Sequence, residues 1–170
     1  MVYVKSGTIF KFITVRQFRP AVYIQNIPFE DKIKIIDCNK YPVELGLTTE
    51  FCAGIVDKNK SLEEIAKAEV MEETGYDIPI EKLEKIRIFN STVGASADEV
   101  HLFYVEVEDK MKTGKGGGLE TEGEFIEVIE LPILEAKKIC DDHSLSNCYA
   151  GFLYGLMWFF HYKVSNTNIL

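Results

Sequence analysis

The sequence predicts one α/β (α+β) domain built on a mixed β-sheet, and three observations carry that reading. Runs rich in β-branched and aromatic residues recur along the chain, as in "TIFKFITVRQF", "KIRIFNSTV", "VHLFYVEVE" and "FIEVIELPI". Amphipathic stretches with helix start and stop signals lie between them, above all residues 61–75. At 170 residues with no visible internal repeat, the chain suits a single domain, 1–170, with one sizeable core.

Taken in order, "TIFKFITVRQFRPAVYI" reads as one or two strands, and residues 29–42 as a loop or short excursion stopped by Pro42. "VELGLTTEFCAGIV" reads as two short strands, broken at Gly46 and ended at Gly54. A helix follows, with Ser61 as N-cap, Glu64 completing a capping box and Gly75 as its stop. "KIRIFNSTV" and "VHLFYVEVE" are strands joined by "GASADE". Then come a glycine-rich acidic loop, "KTGKGGGLETEGE", the strand "FIEVIELPI", the helix "LEAKKICDD" and a last helix over 145–163.

Composition narrows the function classes. Apolar residues make up 46% and charged residues 27%, as in an ordinary globular protein. A net charge of −8 argues against a nucleic-acid backbone as partner, because no basic stripe would release counterions. A small anionic substrate stays open if a bound cation inverts the local field. Cys38, Cys52, Cys140 and Cys148 form no C-x-x-C pair and read as small core residues of a reducing compartment, the cytoplasm. "MVYVKSGTIF" lacks the apolar run of a signal peptide. "NCYAGFLYGLMWFFHY" (147–162) is apolar but shorter than the roughly 20 residues of a membrane span. A buried or dimer-facing helix is the expectation. His101, His143 and His161 are too dispersed for a triad or a zinc set.

The helix 61–74 carries the chemistry. On a wheel of 100° per residue, Leu62, Ala66, Glu69 and Glu73 fall within roughly 60° of one another, flanked by Ile65 and Val70. Glu72 lies at the edge of that stripe. Two carboxylates among apolar residues are costly unless a magnesium ion or a proton neutralises them. A solvated acidic helix in a different phase is the alternative reading of the same residues.

"GIVDKNKSLEEIAKAEVMEETGY" (54–76) resembles the Nudix box, G-x5-E-x7-R-E-U-x-E-E-x-G-U, where U is a bulky apolar residue. Gly54, Glu69, Val70, Glu72, Glu73 and Gly75 match, and Tyr76 fills the last apolar slot. Lys60 stands where the motif has Glu, and Ala68 where it has Arg. The resemblance implies a mixed sheet sandwiched between helices. It also implies Mg2+ (or Mn2+) held by Glu69, Glu72, Glu73 and the carbonyl of Ala53. The motif arginine braces the glutamates, so Ala68 is expected to loosen the ligand geometry without removing a ligand.

More of the chain is similar to the UDP-sugar and ADP-ribose diphosphatases of this superfamily. The likeness runs through "VRQFRPAVY", "EFCAGIVD", "FYVEV" and "GGGLETEGEFIEVIELP". It implies hydrolysis of a UDP-glucose-like nucleotide sugar to nucleoside monophosphate and sugar 1-phosphate, with ADP-ribose as alternative. A non-catalytic nucleotide-binding module is the competing class, supported by Ala68 alone. The likeness places the catalytic base at Glu122 or Glu124 in the glycine-rich loop. Arg19, in "QFRP", suits a phosphate because a guanidinium offers two parallel donors, or else a structural pair with Glu50. Asp98 and Glu99 could reach a metal or the sugar hydroxyls. Relatives form a homodimer through an N-terminal β-rich segment, whereas sixteen residues precede Gln17 here.

Overall fold

The structure is a computed structural model that describes residues 1–6, 9–33, 35–57, 59–94, 96–142, 144 and 147–164. The side chains of Ser6, Ile9 and Glu122 and all of His143 lie outside that description. The chain runs β1 (Val2–Ser6), β2 (Ile9–Phe18), α1 (Pro20–Gln25), α2 (Phe29–Lys32), β3 (Leu47–Glu50) and α3 (Leu62–Glu69), which continues into a π-helical turn (Val70–Thr74). β4 (Glu84–Asn90), β5 (Glu99–Val107), β6 (Glu127–Pro132), α4 (Ile133–Asp141) and α5 (Ala150–Phe159) follow.

β2 is the spine of the sheet. Its residues 11–13 pair with both β1 and β6, and residues 15–16 with both β3 and β6. β6 therefore lines one edge of β2, while β1 and β3 succeed each other along the other. β1 continues the sheet by pairing in parallel with β5, which pairs antiparallel with β4. One parallel pair among antiparallel ones makes the sheet mixed, as the sequence predicts.

Alternation along β1 assigns the two faces. Val2 and Val4 pack with Ile13, Val105, Ile78 and Val70 of the π-helical turn. Tyr3 points the other way, into a cluster with Phe12, Phe152, Leu156 and Phe159. Its ring lies 4.6 Å from that of Phe159. The sheet is thus sandwiched between the 62–74 helix and the pair α4–α5. The apolar C-terminal helix finds its place here: Phe152, Leu156 and Phe159 are fully buried against the sheet. Among the described residues no helix is long and apolar enough to cross a membrane.

Several local expectations change. "PAVYI" is helical because Pro20 sits at the first helical position, where its fixed φ fits and its missing N–H costs nothing. "VELG" forms a 3₁₀ turn after Pro42, so 43–56 contains one strand, β3, not two. The last helix starts at Ala150 rather than 145. The strand "FIEVIELPI" begins only at Glu127, which leaves Phe125 and Ile126 in the loop. β1 was not foreseen, and Cys38 is exposed rather than in the core.

Candidate active site

The capping box forms as the sequence predicts. Ser61 N–H donates to Glu64 Oε2 at 2.8 Å, and Glu64 N–H donates to Ser61 Oγ at 3.2 Å. Ile65 and Val70, both buried, then fix the helix rotation against the sheet. Glu69 is half-buried on the same side, and Glu73 is only 1% exposed. The final turn is π-helical rather than α-helical, with the Thr74 hydroxyl donating to the Val70 carbonyl. The inward placing of Glu73 that the wheel gives is met, and the solvated-helix alternative is set aside for this residue.

Glycines make room for the acids. A Cβ on Gly54 would lie 2.0 Å from Glu69 Oε1, so the carboxylate occupies the space that a side chain at 54 would fill. Gly75 closes the helix at φ +79°. The glycine-rich loop then wraps the helix end. Thr113 N–H and Gly114 N–H donate to the Gly75 carbonyl, Gly117 N–H to that of Glu73 at 2.9 Å, and Gly118 N–H to that of Glu72 at 3.1 Å. These bonds satisfy terminal carbonyls that the helix leaves unpaired. They also bring Glu124 within electrostatic range of Glu73, with its Oε2 held by Leu119 N–H at 2.9 Å.

Burial pushes the Glu73 carboxyl up to about 8, helped by the charges of Glu69, Glu124 and Glu50 and opposed by the Ala53 N–H. That N–H donates to Glu73 Oε2 at 3.3 Å. Ala68, half-buried one position before Glu69, ends at Cβ and can brace neither acid. Among the described residues no three His, Cys, Asp or Glu side chains are grouped closely enough to hold an ion as they stand. The donor chemistry nevertheless fits a divalent cation: hard carboxylate oxygens, one fully buried and destabilised by its acidic neighbours.

This predicts a pH-dependent stability. Glu73 moves from 4.5 when unfolded to about 8 when folded, so the folded protein holds its proton more tightly. The resulting stability is complete below pH 4.5 and is lost as pH rises through 8. The metal-free protein should melt several degrees lower at pH 8.5 than at pH 5.5. Added Mg2+ should raise the melting temperature more at pH 8.5, where no proton competes. Equal melting temperatures at both pH values would contradict the assignment.

Beside this group, Arg19 and Glu50 form a bidentate pair. Arg19 Nε lies 2.8 Å from Glu50 Oε1, and Nη2 lies 2.6 Å from Oε2. Thr48 and Gln17 also donate to Glu50, at 2.6 and 3.3 Å. Burial pushes the Glu50 carboxyl up, but the hydrogen bonds from Arg19 and Thr48 outweigh it and leave Glu50 below the usual carboxylate range. The structural pair is therefore present, and Glu73 lies within electrostatic range of the guanidinium. Sequence reasoning missed Thr48 and Gln17, whose roles follow only from the β2–β3 register.

Asp98 and Glu99 take up local partners. Ser96 Oγ donates to Asp98 Oδ2 at 2.7 Å, and Glu99 Oε1 lies 2.6 Å from His101 Nε2. No described contact joins them to Glu69 or Glu73. Glu72 is half-buried and meets the loop through its carbonyl. The Glu122 side chain falls outside the described residues.

A cleft of about 600 Å³ opens between the glycine-rich loop and the end of β2. Phe18, Leu47, Gly118, Glu124 and Phe125 line it, and Arg16, paired with Glu127, forms its rim. The sequence reading passed over Phe18 and Phe125. An aromatic residue directly after an acidic loop, displaced from the strand, was the available signal.

Known proteins share both sequence and fold with this chain. The uridine diphosphate glucose pyrophosphatase of Bos taurus is 35% identical over 158 residues, spanning 87% of this chain and 71% of that protein. The GDP-mannose pyrophosphatase of Pectobacterium atrosepticum is 36% identical over 142 residues, spanning 84% of this chain and 61% of that protein. An Ap4A hydrolase of C. elegans superposes with a TM-score of 0.55 over 96% of this chain and 93% of that one, at 14% identity, a likeness of fold alone. No family model matches the chain. The first of these likenesses, over nearly nine-tenths of the sequence, and the Nudix box seated on the 62–74 helix agree: the chain belongs to the Nudix hydrolase superfamily, as a hydrolase of phosphoric anhydrides.

Proposed function

We propose that the chain hydrolyses the diphosphate bridge of a nucleoside diphosphate sugar, UDP-glucose in the first place, to nucleoside monophosphate and sugar 1-phosphate. The observation that carries this reading is Glu73, a carboxylate 1% exposed whose neighbouring acids destabilise its charge. Such an arrangement suits a site built for a cation and the diphosphate it accompanies. Relatives named as pyrophosphatases of UDP-glucose and GDP-mannose support the substrate class.

Glu69 and Glu73, with Glu72 and the Ala53 carbonyl beside them, would hold Mg2+, which when bound neutralises the diphosphate and polarises phosphorus. Arg19, oriented by Glu50, donates to a phosphate oxygen. Glu124 or Glu122 on the glycine-rich loop accepts the proton of the attacking water. The water oxygen bonds to phosphorus, the anhydride P–O bond breaks, and the departing phosphate keeps the bridging oxygen. The loop closes over the helix end and keeps bulk water away from the reacting groups. Asp98 and Glu99 serve the sugar end in this reading, a homodimer is the assembled state and the cytoplasm the compartment.

Incubation with UDP-glucose, GDP-mannose and ADP-ribose in the presence of Mg2+, with products separated by chromatography, tests this directly. Release of UMP and glucose 1-phosphate is the expected outcome. All three substrates left intact, though bound, would establish the non-catalytic module instead.

A further inference from the structure

α2 is built inside out. Its Asp31 turns toward the protein, where Oδ2 accepts from Lys40 Nζ and from the Tyr41 hydroxyl, each at 2.6 Å. Tyr41 is itself buried in a small cluster with Tyr23 and Ile27. At about 100° per residue, Phe29 and Ile33 lie on the opposite face of the turn. They are 76% and 72% exposed, and Ile35, 99% exposed, extends the apolar surface two residues on. A surface helix ordinarily buries its apolar stripe and wets its charges. Apolar side chains grouped in water mark a contact with another molecule.

Charge says which molecule. Residues 29–36 set Glu30 and Asp31 against Lys32 and Lys34, a balance of zero in a chain of net −8. Two copies of the chain therefore repel each other least over this segment. Around α2, Glu30 and Lys32 flank the Phe29–Ile33 stripe on opposite sides, each about 80° from its centre. Acid on one flank and base on the other make the face self-complementary. With two stripes in contact and the two-fold running along α2, each Glu30 meets the partner subunit's Lys32. β1 offers no edge for exchange between copies, because it is paired on both sides within its own sheet, to β2 and β5. We infer, on the homodimer reading above, that the outer face of α2 is where a second copy of this chain docks, through Phe29 and Ile33 with Glu30 and Lys32 at the flanks. The excursion carrying α2 leaves β2 at Arg19 and returns at Gly46, whose carbonyl accepts from Arg19 N–H at 2.8 Å. Docking there braces the strand ends that present Arg19 and Glu50.

Sedimentation equilibrium of the full chain tests this, with circular dichroism to confirm that these outward substitutions keep the fold. The wild type is expected to dimerise in the micromolar range. Phe29→Asp with Ile33→Asp should raise the dimer Kd about a thousandfold, because the two-fold counts each change twice. Glu30→Lys alone, or Lys32→Glu alone, sets like charges together at two places and should raise Kd about tenfold. An equimolar mixture of these two single variants should dimerise within about threefold of the wild type, since every contact across the two-fold is again between opposite charges. A wild-type dimer that survives Phe29→Asp with Ile33→Asp would overturn this surface and leave the homodimer reading standing. A mixture of the charge variants no tighter than either alone would do the same. A wild type that stays monomeric at its highest soluble concentration would remove surface and homodimer together, with nucleotide-sugar hydrolysis still decided by the substrate panel above.

Discussion

Glu73→Gln is expected to lower kcat about a thousandfold, or about 4 kcal/mol of transition-state stabilisation, while leaving the fold intact. The amide has the shape of the carboxyl, so the buried position stays filled. What goes is the negative charge at the most buried position of the acidic group. The substitution also gives a readout independent of turnover. Because glutamine does not titrate, the fall in stability between pH 4.5 and about 8 should flatten. Initial rates at saturating UDP-glucose and Mg2+, with melting curves across that range, measure both effects. A variant retaining more than a tenth of the wild-type kcat would remove Glu73 from the centre of the mechanism.

Gly116→Ala is expected to cost about 2–5 kcal/mol of stability and to lower the melting temperature by roughly 5–15 °C. Two effects combine. Gly116 has φ +71°, where a Cβ is disfavoured. That Cβ would also lie 2.4 Å from the Glu73 carbonyl oxygen, a backbone atom that cannot step aside. The loop must lift off the helix end, breaking the bonds from Gly117 and Gly118, and activity should fall roughly a hundredfold as Glu124 leaves the site. Gly123 supplies the control: its φ is +74°, but a Cβ there meets nothing within 4 Å. Gly123→Ala should cost only about 1–2 kcal/mol. Equal effects from the two substitutions would show that loop docking contributes nothing to the site.

What could be read from the sequence divides along physical lines. The capping box and the Gly75 stop were legible because each is a contract between residues a few positions apart. The burial of Glu73 was legible because apolar neighbours at helical spacing fix the rotation. The π-helical turn was not, because a slip in the hydrogen-bond ladder answers to contacts with Tyr76, Ile78 and the sheet rather than to local propensity. β1 was missed for a similar reason: five residues carry too little pattern, and the parallel partner of Val2 is Val105. The alternatives for Arg19 could not be separated by inspection, because only the β2–β3 register brings it to Glu50. Phe125 hid in an expected strand, and the glycines ahead of it, by docking on the helix end, postpone the start of β6 to Glu127.

β2 delivers Arg16, Gln17 and Phe18 in succession, with Arg19 directly after its end, and it is pinned by hydrogen bonds to β1, β3 and β6. The partners of Glu127 and Glu50 are thereby nailed to a single plank, so the distance between the cleft rim at Arg16 and the proposed phosphate contact Arg19 is gauged against an immobile edge.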